Sequence, residues 1–218
     1  MVGQRGFLLI LSGPSGAGKN TVLDAVRERC PELLYSISAT TRPPRPLEQD
    51  GCDYFFLSKE EFEERIAAGD FLEWAEFCSH YYGTPLAYIR ESLDRGQIVV
   101  MDIDIQGARQ VKAKMPEAVF VFLLPPTMAE LESRLRGRSS DSDAAIRNRL
   151  DKALTELRAG IEYDYVIRND DIDEAARKLL AIITAEGCRV RHSEYFDSLK
   201  DIVGEQGVMK EDDEPTTD

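Results

Sequence analysis

The stretch that most constrains the fold is Phe7 to Thr21, "FLLILSGPSGAGKNT". Its five consecutive apolar residues, Phe7 to Leu11, mark a strand buried on both faces, as in a parallel sheet. Glycines at 13, 16 and 18 follow at once, and then "KNTVLDAVRERC" carries Val22, Leu23 and Val26 at helical spacing before Pro31. A strand, a glycine-rich turn ending in lysine and a helix form the context of a phosphate-binding loop. Glycine lets the backbone curl until several N–H groups and the helix N-terminus converge on one phosphate. Gly13, Pro14, Ser15, Gly16, Ala17 and Gly18 are therefore candidate nucleoside triphosphate ligands, and Lys19 adds a charge shared by the β- and γ-phosphates. After the lysine that pattern expects serine or threonine, and here stands Asn20. The amide oxygen of Asn20, directly or through water, or the hydroxyl of Thr21 would then help to place Mg²⁺.

Apolar runs recur at Ile98 to Met101, Val119 to Leu124 and Tyr165 to Ile167, each ahead of a segment with helical character. This alternation predicts an α/β domain with a parallel sheet flanked by helices. Ser58 with Glu61 and Thr127 with Glu130 read as capping boxes, and Thr84 reads as an N-cap before Pro85. Residues 35–84 break the pattern, being aromatic, half-alternating and cut by short turns, which predicts a small inserted subdomain with antiparallel strands. Between two helices, residues 136–147, "RGRSSDSDAAIR", are polar and arginine-rich, as expected of a mobile lid.

With 27 lysines and arginines against 40 acids in 218 residues, the formal net charge is −13. That field repels nucleic acid and anionic membranes, so an anionic ligand needs a local cluster of cations. Much of the imbalance lies in the last 19 residues, where two lysines stand against seven acids, and residues 199–218 read as a solvated, disordered tail. Cys30, Cys52, Cys78 and Cys188 form no CxxC pair, which predicts neither a zinc site nor a disulfide framework and fits a reducing cytoplasm. No apolar run is long enough for a membrane span. His80 and His192 stand isolated and read as surface residues.

A second cationic cluster, "SISATTRPPRP", holds Ser38, Arg42 and Arg45 close together, a fork suited to another phosphate. With "GPSGAGK", "GCDYFF", "FLEWAE", "YYGTP", "DIDIQGA", "FLLPP", "RLRGR", "NRL" and "VIRNDD" it makes ten blocks in one order. In these blocks the chain resembles a bacterial-type guanylate kinase over about residues 6 to 190. The resemblance implies a P-loop kinase domain over 1–198: a core at 1–34, 85–126 and 160–198, a GMP-binding insertion at 35–84, and a helical lid at 127–159. It implies transfer of the ATP γ-phosphoryl group to GMP, with Mg²⁺ as cofactor and dGMP a further acceptor to be tested.

Carried over position by position, Arg42, Arg45, Tyr54 and Tyr82 would hold the GMP phosphate. Ser38, Glu73 and Thr84 would read guanine, with Asp104 near the nucleoside. Lys19 and the loop would take ATP phosphates, Arg138 and Arg149 would reach the transferring group, and Asn169 would lie near adenine. Catalysis would rest on Lys19, Arg42, Arg138 and Arg149, while Asn20 and Asp102 would order Mg²⁺ through water. The chemistry agrees: guanine offers two adjacent donors, and a carboxylate offers two acceptors at matching spacing. A phosphate nucleophile is already ionised, so no histidine base is required. Against this stands a guanylate-kinase-like interaction module that has lost catalysis, but such modules typically lack the intact loop and lysine. Two further departures from the family's usual pattern, Leu47 and Ser139, contribute no contacting side chain.

Overall fold

In the computed structural model, residues 6–138, 143–189 and 192 are described, the side chains of 137, 138, 143 and 144 excepted. The central sheet is built from β1 (Leu8–Ser12), β2 (Leu34–Tyr35), β7 (Val99–Asp102), β8 (Val119–Leu124) and β9 (Tyr165–Arg168). All its pairings are parallel, in the order β2-β7-β1-β8-β9. Successive strand residues face opposite ways, so the apolar runs feed two cores. Leu9, Leu11, Val121 and Leu123 pack with α1 (Lys19–Arg29) and α7 (Ile172–Gly187). Leu8, Ile10, Met101 and Phe120 pack with Ile89 of α3 (Leu86–Asp94) and Ala108 and Val111 of α4 (Ile105–Lys114). Each fully buried aliphatic side chain contributes about 1.5–3 kcal/mol.

The second sheet holds β3 (Ala39–Thr40), β4 (Phe55–Phe56), β5 (Phe71–Phe77) and β6 (His80–Pro85), in the order β4-β3-β6-β5. It is mixed, because β3 pairs with β4 in parallel and with β6 antiparallel. Tyr35 belongs to the core sheet instead, where it pairs with Val100. Helix α2 (Lys59–Ala68) caps this sheet through Phe62, stacked on Phe71 at 4.2 Å and on Tyr81 at 5.3 Å between ring centroids. Its N-terminus is the expected Ser58–Glu61 capping box.

Helices α5 (Met128–Arg138) and α6 (Asp143–Arg158) pack through Leu131, Leu135 and Ala153. Only half of the box at Thr127 forms: its hydroxyl accepts from the Glu130 N–H, but the Glu130 carboxylate turns to Arg134. His192 is not a surface residue. It stacks on Phe7 at 4.8 Å and is 6% exposed, a contact between segments far apart in the chain that local pattern cannot carry. The segment 139–142, with Ser139, and the acidic tail lie outside the described residues.

Candidate active site

The glycine loop runs directly from β1 into α1. Gly16 and Gly18 take φ of 92° and 96°, the left-handed region that glycine enters without strain. At Gly18 a side chain is excluded twice, since a Cβ there would stand 2.5 Å from Nδ2 of Asn169. Asn169, 2% exposed just after β9, donates that Nδ2 to the carbonyl of Ala17 at 2.8 Å. It supports the loop from behind. The turn itself closes through Ala17 N–H and the Pro14 carbonyl at 3.0 Å. Lys19 donates to the Gly13 carbonyl at 2.9 Å and stands 3.8 Å from Asp102, so its ammonium is held over the loop.

A cleft of about 220 Å³ opens above this loop, walled by Ser15, Lys19, Asn20 and Asp104, and by Lys152 and Glu156 of α6. Thr21 and Arg149 are exposed on α1 and α6 and do not line it. Arg138 lies in α5, and its side chain is outside the described residues. Sequence reasoning passed over Lys152 and Glu156, because an i,i+4 ion pair on a helix is an ordinary surface pattern.

On the acceptor side, Arg42 follows β3 and donates Nη2 to both carboxylate oxygens of Glu48 at 2.9 Å. Glu48 also accepts the backbone N–H of Arg45 at 2.8 Å, and that bond leads in holding its carboxyl below the ordinary range. The Arg42 guanidinium lies 5.4 Å from the centre of the Tyr54 ring, which meets Tyr82 at 6.3 Å. Arg42, Tyr54 and Tyr82 are thus one cluster, with Arg45 tied to it through Glu48. In sequence, Glu48 looks like any loop acid.

Glu73 on β5 is 7% exposed and accepts the Thr84 hydroxyl at 2.7 Å. Burial pushes its carboxyl above the ordinary range; the Thr84 bond opposes this and the charge of Asp104 adds to it. Thr84 is not a helix cap: it lies within β6 with its side chain committed to Glu73, and the N-cap position of α3 falls to Pro85. Ser38 is half-buried between β2 and β3. Asp104 caps α4, its Oδ1 accepting from the Gly107 N–H at 2.8 Å, and also walls the loop's cleft. The Ser12 hydroxyl donates to the Ile103 carbonyl at 2.8 Å, holding the Asp102–Asp104 segment against the start of the loop. Asp102 is pushed up by desolvation and pulled down by Lys19.

A triphosphate-type loop and a buried carboxylate therefore meet through Asp104. The guanylate kinase family model matches residues 5–186. The chain belongs to the guanylate kinase family. The guanylate kinase of Halalkalibacterium halodurans is 44% identical over 200 residues, 91% of this chain and 98% of that protein. That of Thermosynechococcus vestitus is 52% identical over 182 residues, covering 84% and 94%. A crystal structure of guanylate kinase from Anaplasma phagocytophilum superposes with a TM-score of 0.68 at 32% identity, covering 93% of this chain and 97% of that one. As a guanylate kinase family member with the loop and its lysine intact, the chain is an enzyme, a nucleoside monophosphate kinase, and not a silent interaction module. Among the described residues, no helix is long and apolar enough to cross a membrane.

Proposed function

We propose that the chain carries out the ATP:GMP phosphotransfer of its family, with the ATP phosphates on Gly13–Asn20 and GMP between Arg42 and Glu73. The observation that carries this is the buried Glu73 carboxylate, bonded to Thr84 and coupled to Asp104 in the wall of the loop's cleft. An ionised carboxylate accepts the ring N–H and exocyclic amine of guanine together. Adenine would turn a lone pair at it. A polar site built for donors rejects an analogue that lacks them by about 10⁴-fold. Arg42, Arg45, Tyr54 and Tyr82 supply the phosphate's donors, with Glu48 holding Arg42 until the anion arrives. Asn169 works as the brace behind the loop. The attacking phosphate oxygen needs no base, so catalysis is positioning and charge neutralisation by Lys19 and Arg42, with Arg138 and Arg149 brought in from α5 and α6.

The donor set fits Mg²⁺. This ion keeps several waters and takes few protein ligands beside substrate phosphates. Asn20 in the cleft wall and Asp102 beside Lys19 are oxygen donors of that kind. Among the described residues no group of three or more acids, histidines or cysteines is built to hold a metal alone. When bound, the ion neutralises charge on the β- and γ-phosphates.

An ADP-release assay with GMP, AMP, CMP and UMP as acceptors tests the reading. GMP is expected to be preferred by about 10⁴-fold in kcat/KM, and equal rates with AMP and GMP would overturn the assignment. Titrating the same assay with Mg²⁺ addresses Asn20. Asn20→Ser is expected to lower the Mg²⁺ concentration for half-maximal rate several-fold, and no change would mean that Asn20, Thr21 or water already does the job.

A further inference from the structure

We infer that helix α4 sets the guanine specificity of this site: Gln110 is a positioning residue that clamps the strand carrying Glu73, and Gly107 leaves room for the Glu73 carboxylate. The inference rests on the reading of Glu73 as the guanine-binding group.

Among the described residues, strand β5 is an edge strand, paired only with β6 in its sheet. That pairing is interrupted beside Glu73. Phe71 stands opposite Pro85 and Glu73 opposite Thr84, so the two-residue step on β5 meets a one-residue step on β6, a bulge with Leu72 as the extra residue. Pro85 also has no N–H to give to the ladder. A one-residue slip of a strand turns its side chains to the opposite face, and here that would carry Glu73 away from guanine.

Helix α4 secures the other edge. The Trp74 N–H donates to Gln110 Oε1 at 3.1 Å, and Gln110 Nε2 donates to the Trp74 carbonyl at 2.9 Å. The side-chain amide thus pairs with both backbone groups of the residue after Glu73, as a neighbouring strand would. One turn on, Lys114 donates to the Phe71 carbonyl at 2.6 Å, on the near side of the bulge. Residues 107, 110 and 114 recur at helical spacing on one face. At the head of that face a Cβ on Gly107 would stand 3.1 Å from Glu73 Oε2, tight enough that the carboxylate would have to give by a few tenths of an ångström. The same helix is capped by Asp104, so one rigid element joins the triphosphate cleft to the guanine-binding carboxylate.

Gln110→Met keeps the length and shape of the side chain and removes both bonds. It is expected to raise KM for GMP about tenfold while kcat and KM for ATP stay within about twofold. Preference for GMP over IMP, which lacks the exocyclic amine, is expected to narrow about tenfold, because a misplaced carboxylate reads one donor nearly as well as two. Gly107→Ala, with its fold checked by thermal unfolding, should shift KM for GMP in the same direction. Equal loss with both nucleotides, an unchanged GMP-to-IMP ratio or wild-type kinetics would overturn the proposal. Impaired Glu73→Gln beside normal Gln110→Met would sink the clamp alone, whereas a normal Glu73→Gln would sink the reading beneath it.

Discussion

Replacing Lys19 by methionine is expected to lower kcat by about 10²–10³-fold or more, with the fold intact. Removing one preorganised donor from a developing charge costs about that much, equivalent to about 3–4 kcal/mol of barrier. Methionine keeps the aliphatic stem and gives up one hydrogen bond, to the carbonyl of Gly13, so little packing is lost. Asp102 would lose its cation at 3.8 Å and its carboxyl would rise further, because burial already pushes it up and Lys19 is the opposing influence. Steady-state kinetics with thermal unfolding as a control checks this. Turnover near the wild-type rate would mean that the loop is not catalytic.

Glu73→Gln is expected to reduce kcat/KM for GMP by about 10²–10³-fold with little change in KM for ATP, since two bonds to a charged acceptor are worth about 1.5–3 kcal/mol each and one acceptor remains. Equal losses for both substrates would count against a base-reading role. The raised carboxyl adds a pH signature. Guanine's donors require the ionised form, so KM for GMP in the native enzyme should climb as pH falls, beginning above the ordinary glutamate value of about 4.3. In the variant the part of this dependence that comes from the carboxyl should disappear.

Stability should move the opposite way. A carboxyl whose folded pKa is raised binds its proton more tightly in the native state, so its ionised form is a burden at neutral pH that is relieved as pH falls through the raised value. Glutamine can still accept the Thr84 hydroxyl and carries no charge to desolvate or to face Asp104. The unliganded variant should therefore melt higher at pH 7, by about 2–4 °C for each kcal/mol relieved, and the gap should close on acidification. A variant that melts lower at pH 7 would contradict burial as the cause of the shift.

Several elements were legible because their signals are local. The Phe7–Leu11 run, the glycine spacing and the helix after Lys19 lie within one continuous stretch, and the structure places β1, loop and α1 there. Ser58 and Glu61 cap α2 because a capping box needs only four residues. Thr84 fails the same rule, since its hydroxyl met a buried carboxylate eleven residues away before it could serve a helix end. Glu48, Gln110 and His192 were silent for a related reason. Their roles come from the partners the fold gives them, among them Arg42, Trp74 and Phe7.

By itself, then, the amino-acid order determined the α/β class, the triphosphate loop and, through ten ordered blocks, the family. These follow from periodicity and short-range stereochemistry, which a chain carries before it folds. Tertiary structure alone decided that Glu73 is buried and raised, that Glu48 holds Arg42, and that α4 braces β5 across its open edge. Desolvation and hydrogen-bond partnership depend on which segments exclude water together and which groups the folded backbone turns to face each other, and neither follows from residue order or periodicity.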